Sequence, residues 1–372
     1  DEINGDTNLK DKIFKLISIS EYTRVFSNEI INALMVSKEL IKGEINVVLL
    51  APMQSGKSGT INQLCNLILK EIGFIKPNQG VVFVNSMTDK SLFNQNMVNL
   101  SNDSSIIKVM KMKDFKSYGF LYTKENNIRL IVRDEDQYGC AEESSFDTGF
   151  FEKLRLEDPE KPLVTVSATP FDVMDAMKKN CVEGKVISGL AGEGYFGIKQ
   201  MLNLGLVRDL PSNYSHIVPN ETGSNEISKE IQECVFHLKK FESSIGILRA
   251  NKTEEACYLR DQLRSLEKTH NFNVIVIGST KGCDEQISDG LEKIKEITRF
   301  QKKNTILIIM GALSAGKNLL SLKEKVKFVI ETRSRQLANV VQGLPGRLCG
   351  YKENPDLIVY AKKPLLEKYV AF

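Results

Sequence analysis

The run Val47–Thr60, VVLLAPMQSGKSGT, carries Gly56-Lys57-Ser58 directly ahead of a stretch with helical spacing. A loop of this form between a strand and a helix cradles phosphate. Its amides face the phosphate oxygens, its lysine reaches the β and γ phosphates, and its hydroxyl ligates magnesium. The amides of Ser55–Ser58, the Lys57 ammonium and the Ser58 hydroxyl suit those three tasks, with Gln54 and Gly59 flanking them. The usual pattern, G-x-x-x-x-G-K-[ST], begins on a glycine where this chain has Ala51. Alanine is tolerated there if its φ is negative, because only left-handed backbone demands glycine.

Two further stretches add chemistry. IRLIVRDEDQYG, Ile128–Gly139, delivers Asp134 and Glu135 at the end of an apolar strand, where open α/β sheets bind ligands. One carboxylate can hold magnesium while its neighbour accepts a proton from an attacking water. Acidic pairs after strands are commonly solvated turns; this one follows the phosphate loop by about 77 residues, which favours the nucleotide reading. PLVTVSATPF, Pro162–Phe171, ends a further strand in Ser167-Ala168-Thr169.

These residues need a scaffold of strands with loops at one edge. Short apolar runs followed by helical spacing recur in both halves, as expected of α/β units around a buried parallel sheet. They are INVVLLA, GVVFVNS, IRLIVRDED and PLVTVSATP, then SSIGILRAN, FNVIVIGST, NTILIIMGA and VKFVIETRS. The expected organisation is a helical segment 1–43 packed on a first domain 44–190, a connector 191–240, and a second domain 241–372. The connector is rich in Gly, Asn, Ser and Pro and has no sustained period. GEGYFG, Gly192–Gly197, reads only as a connector with an aromatic anchor.

Composition narrows the function classes. The 372 residues suffice for two cores, and no run reaches the roughly 18 apolar residues of a membrane span. Seven cysteines without a close pair, and three histidines, fit a reducing intracellular setting and speak against a His/Cys metal site. The first 190 residues hold 23 basic and 26 acidic side chains, the remainder 27 and 21, so the second half is the better polyanion surface. The start at Asp1, without a leader pattern, is expected to be a processed or truncated end, and a further C-terminal domain or a protein partner is expected beyond EKYVAF.

The ordered set APMQSGKS, DEDQ, SATP, GALSAGKNL and QGLPGRLCGY resembles the motifs of superfamily 2 helicases and translocases of the DExH/Q type, over about Asn46–Tyr351. The resemblance implies an α/β fold of two tandem RecA-like domains with ATP and Mg²⁺ in a cleft between them. It also implies an ATP-hydrolysing motor on nucleic acid, DNA rather than RNA because no D-E-A-D box or adenine-reading glutamine motif is found. Gly56, Lys57 and Ser58 match motif I; Asp134, Glu135 and Gln137 match motif II, with Ser58 and Asp134 on the metal. Ser167 and Thr169 match motif III, which couples the two sites. Ser86 and Thr88 fall at motif Ia, Arg249 at motif IV, and Ser279 and Thr280 on the strand end after it, all candidate nucleic-acid contacts. Motif V spans Gly311–Leu319, with Gly316 counted toward the nucleotide. In motif VI, Gln342 is followed by Gly346-Arg347 one position late, and Gly350 stands where the last arginine belongs. Arg347 then resembles the γ-phosphate arginine, and Arg333, Arg335 or a residue beyond Phe372 would replace the missing one.

Blander readings stand beside these. If GLPGRLCGY is only a loop, Arg347 is a solvated surface arginine. ALSAGKNL lacks the glycine and the Ser/Thr of a second phosphate loop, and the lysine cluster Lys108–Lys116 is either a nucleic-acid footprint or a solvated face. Alternative functions are a viral DNA-packaging type ATPase, or a nucleotide-dependent switch with little turnover. No membrane partner is expected, and the expected location is intracellular, in the host cytoplasm or nucleoid if the chain is viral.

Overall fold

The computed structural model describes residues 27–85, 97, 100, 106–134, 153–169, 174, 177–178, 183–219, 225–270, 272–278, 303–310 and 319–371. The chain divides into two units, Asp1–Tyr195 and Phe196–Phe372. Among the described residues no helix is long and apolar enough to cross a membrane.

In the first unit, β1 (Asn46–Leu50), β2 (Gly80–Asn85), β3 (Ile107–Lys111), β4 (Ile128–Asp134), β5 (Leu163–Ser167) and β6 (Lys185–Ser188) form one sheet in the order β3-β2-β4-β5-β1-β6. Every pairing in it is parallel. Alternation along the strands builds both faces. Val81 and Phe83 of β2 join one core with Val47 and Leu49, while Val82 and Val84 join a second with Phe115, Phe120 and Leu154. The helix Ser27–Ile41 places Ile30, Ala33, Val36 and Leu40 at helical spacing on the first face. Each fully buried Val, Leu or Ile contributes roughly 1.5–3 kcal/mol, so this helix is held by packing rather than by propensity alone.

In the second unit, β7 (Val207–Asp209), β10 (Ile245–Ala250), β11 (Phe272–Ile277), β12 (Asn304–Met310), β13 (Val326–Ile330) and β14 (Ile358–Ala361) form a sheet ordered β11-β12-β10-β13-β14-β7, again parallel throughout. Helices Lys229–Leu238 and Thr253–His270 cover one face through Ile231, Cys234, Leu259 and Leu263. A short antiparallel pair, β8 (Ile217–Pro219) and β9 (Asn225–Ile227), stands apart from the sheet.

All eight expected strands are present. The stretch 191–240, expected as a connector, is corrected: it supplies β7 to the second sheet, the helices Ile198–Asn203 and Lys229–Leu238, and a start of the second unit at Phe196. Polar composition hid these elements because β7 is an edge strand with Arg208 and Asp209 exposed. Lys108 and Lys111 lie on β3, the edge of the first sheet, where lysines discourage strand addition.

Candidate functional site

The strand register brings the expected chemistry to one edge of the first sheet. Leu50 ends β1 opposite Ser167, Asp134 ends β4 opposite Val166 of β5, and Asn85 ends β2 opposite Asp134. The loop after β1, the carboxylate of Asp134 and the Ser167–Thr169 turn therefore leave the sheet at its C-terminal edge, the ligand-binding side of such sheets.

Each part of the loop has a local cause. The Ala51 amide donates to the Ser167 carbonyl at 3.0 Å, continuing the β1–β5 ladder by one residue. Ser55 N–H closes a turn onto the Pro52 carbonyl at 3.3 Å. Gln54 has φ 56° and Gly56 φ 102°, so the loop passes through left-handed backbone twice before the helix Lys57–Gln63 begins. Glycine meets that demand at 56. Ala51 does not have a positive φ, as its tolerance requires. Ser58 and Gly59 stand in the first turn of the helix, with Lys57 partly exposed.

Ser167 and Thr169 are fully buried. Within the turn, the Thr169 amide donates to Ser167 Oγ at 3.1 Å. Asp134 is 6 % exposed, so its carboxylate lies just beneath the surface at the same edge. Ser58 and Asp134 are hard oxygen donors of the kind magnesium takes and so fit a magnesium nucleotide, while the glycines at 56 and 59 make room for the Glu29 carboxylate packed against them.

The second unit presents Arg347 on the helix Leu344–Leu348, which Pro345 helps to start. QGLPGRLCG is therefore not a simple loop, and Arg347, only 3 % exposed, is not a solvated arginine. Its Nε donates to the carbonyl of Gln342 at 3.2 Å, and Gln342 is itself buried at the end of the helix Leu337–Val341.

Arg249, expected at a nucleic-acid track, is 4 % exposed, and its Nε donates to Glu331 Oε2 at 2.9 Å. Glu331, which sequence reasoning missed, is fully buried and gathers five donors. They are Arg249 Nε, the Arg333 amide, Arg333 Nε and Nη2, and the amide of Leu344. Burial alone would raise the Glu331 carboxyl, but the charges of Arg249 and Arg333 and these hydrogen bonds outweigh it and hold it below the ordinary carboxylate value. Glu331 thus ties the end of β13 to the first residue of the Arg347 helix. Of the two arginines considered as replacements at Gly350, Arg333 is bound to Glu331 and Arg335 is exposed.

Lys323 was also missed. Its Nζ donates to the Cys349 carbonyl at 2.6 Å, and burial, with Arg347 adding to it, pushes the ammonium down to about 8. Glu135, Gln137, Ser86, Thr88, Ser279, Thr280 and Gly316 lie outside the described residues.

No protein-family model matches the chain. No curated protein is significantly similar to it. Solved structures do share its architecture. The DUF1998 helicase MrfA, bound to DNA and AMPPNP, superposes with a TM-score of 0.58 at 13% identity, over 92% of this chain and 50% of that one. The Mycobacterium smegmatis helicase Lhr, bound to ssDNA and AMP-PNP, gives 0.55 at 13% identity, over 97% and 48%. Dbp5 of S. cerevisiae, bound to RNA and ADP BeF3, gives 0.51 at 13% identity, over 96% and 90%. The chain spans about half the length of the MrfA and Lhr chains. The chain shares with these helicase structures a fold of two RecA-like parallel-sheet units in tandem.

Proposed function

We propose that the chain is an ATPase of helicase or translocase type, driven by nucleotide turnover along nucleic acid. The observation that carries this reading is the common sheet edge reached by the Ala51–Ser58 loop, Asp134 and Ser167. A phosphate cradle and an acidic strand end so aligned serve phosphoryl transfer.

A bound magnesium nucleoside triphosphate supplies the phosphoanhydride whose cleavage releases the driving free energy. Lys57 neutralises charge on the β and γ phosphates, and the amides of Ser55–Ser58 hold their oxygens. Ser58 and Asp134 would hold the metal. Glu135 would take up the proton of the attacking water, and Gln137 completes the matched motif. Arg347, supported through Gln342, supplies a cation during turnover, and the buried turn Ser167–Thr169 relays the nucleotide state to the nucleic-acid track. The similar structures carry DNA in two cases and RNA in one, so they support nucleic acid in general. The motif pattern favours DNA.

The test is ATP turnover by the wild-type chain and the Lys57→Ala variant, each against single-stranded DNA, duplex DNA and RNA. Turnover that depends on Lys57 and rises with DNA supports the reading. Turnover equal in both proteins, or indifferent to every nucleic acid, overturns it.

A further inference from the structure

The phosphate loop passes through Gln54 at φ 56°, a conformation an L-residue keeps only when its surroundings impose it. The carbonyls on either side of that residue are both taken by side chains from outside the loop. Met53 O accepts the Tyr195 hydroxyl at 2.5 Å, and Ser55 O accepts Asn28 Nδ2 at 2.9 Å. Met53 and Ser55 are buried. Water is therefore a poor substitute for either donor.

We propose that Tyr195 and Asn28 are positioning residues for the phosphate loop, which clamp the carbonyls flanking Gln54 and so aim the loop amides at phosphate. This rests on the nucleotide reading given above. The link is peptide geometry. In a trans peptide the N–H points opposite to the C=O of the same plane. Fixing Ser55 O on Asn28 turns the Gly56 amide away from Asn28, and fixing Met53 O on Tyr195 does the same for the Gln54 amide. Two donors outside the loop thus orient amides within it.

The clamps are themselves held. Asn28 Nδ2 also reaches Leu190 O at 3.3 Å, and Asn32 pairs with both backbone groups of Leu190, at 2.9 and 2.8 Å. The segment from Leu190 then turns through Gly194 at φ 73° and a Tyr195 N–H to Gly192 O bond of 3.2 Å, which presents the phenol. The GEGYFG stretch so acquires a role: its tyrosine is a support for the phosphate loop.

The test uses Tyr195→Phe, which keeps the ring, Asn28→Ala, and the pair together, with a fluorescent ATP analogue and steady-state turnover as readouts. Each single change is expected to raise nucleotide Kd and KM about tenfold, the loss of one hydrogen bond's worth of loop order, with kcat within about twofold. Gln54→Gly in the Tyr195→Phe background should recover affinity, because glycine adopts the left-handed turn unaided. A lowered Tm with unchanged Kd and KM would mean a merely structural role and overturn the proposal. So would a loss confined to kcat, or no recovery with glycine. Wild-type protein without Lys57-dependent nucleotide binding would overturn the nucleotide reading instead. Amide exchange at Gln54–Gly56 then decides the clamp: faster exchange in Tyr195→Phe supports it, and unchanged exchange overturns it.

Discussion

A β-carbon placed on Gly189 would stand 2.9 Å from the methyl group of Ala51. Gly189 follows β6, its amide bonded to Leu50 O at 2.6 Å, so the two residues leave neighbouring strands side by side. The glycine expected at the loop entrance is in effect replaced by one on the adjacent strand. Ala51 can carry a side chain because its neighbour carries none.

Gly189→Ala should therefore overpack this edge and cost about 1–3 kcal/mol in denaturant unfolding, with weaker nucleotide binding. Ala51→Gly in the same chain should recover part of that loss, since it removes the opposing methyl group but leaves Leu49 Cδ1 and Leu50 O, each 3.1 Å from the added carbon. A double-mutant cycle measures the coupling. Additive effects of the two substitutions would contradict the exchange of glycines.

Lys57→Ala should abolish turnover by removing the charge that neutralises the β and γ phosphates, and Glu135→Gln should stop hydrolysis while leaving ATP binding intact. Binding and single-turnover assays separate the two. Normal turnover in Glu135→Gln would remove that residue from its role as base. Ser167→Ala with Thr169→Ala should preserve basal turnover while reducing strand separation, and equal loss of both would count against a relay.

The legible parts of the molecule are those whose causes are local in sequence. The phosphate loop is one short motif, and the interior strands are unbroken apolar runs buried on both faces, as in NVVLL and NTILIIM. Three of the four unforeseen sheet strands, β3, β6 and β7, are edge strands interrupted by lysine, arginine or aspartate. An edge so interrupted has no continuous hydrophobic signal. The supporting residues were illegible for a different reason. Glu331 meets Arg249 across 82 residues, and Tyr195 meets Met53 across 142, so no spacing in the sequence announces either pair.

Lys323 gives a pH signature for the Arg347 region. Burial, then Arg347, lowers its folded value to about 8 from the ordinary lysine value of 10.5. Between those two values the unfolded chain binds more protons than the folded one, so stability should rise with pH across that window, by up to about 1.4 kcal/mol per pH unit. Lys323→Met keeps the aliphatic bulk and should flatten that rise. Denaturation at pH 8 and pH 10 in both proteins checks it, and parallel profiles would show that Lys323 is not the source.

Arg347 and Glu331 predict different failures. Arg347→Ala should lower turnover on the order of a thousandfold while nucleotide affinity falls less, as when a supplied arginine is removed from phosphoryl transfer. Glu331 makes no contact of that kind; its two oxygens accept five donors, three of them from Arg333. Glu331→Gln places an NH₂ group against some of those donors in either orientation of the amide, and leaves Arg249 buried without its counter-charge. Breaking a buried pair in this way costs about 3–5 kcal/mol. The expected result is a large fall in Tm together with lower kcat, because the cluster joining β13 to the head of the Arg347 helix loses its charge and at least two of its hydrogen bonds. Arg333→Lys separates these effects: it keeps the charge beside Glu331 but loses the side-on fork, so it should cost less stability. If Arg347→Ala turned over ATP normally while Glu331→Gln did not, the Glu331 cluster would serve catalysis through another group, and Arg347 would be a structural residue of its helix.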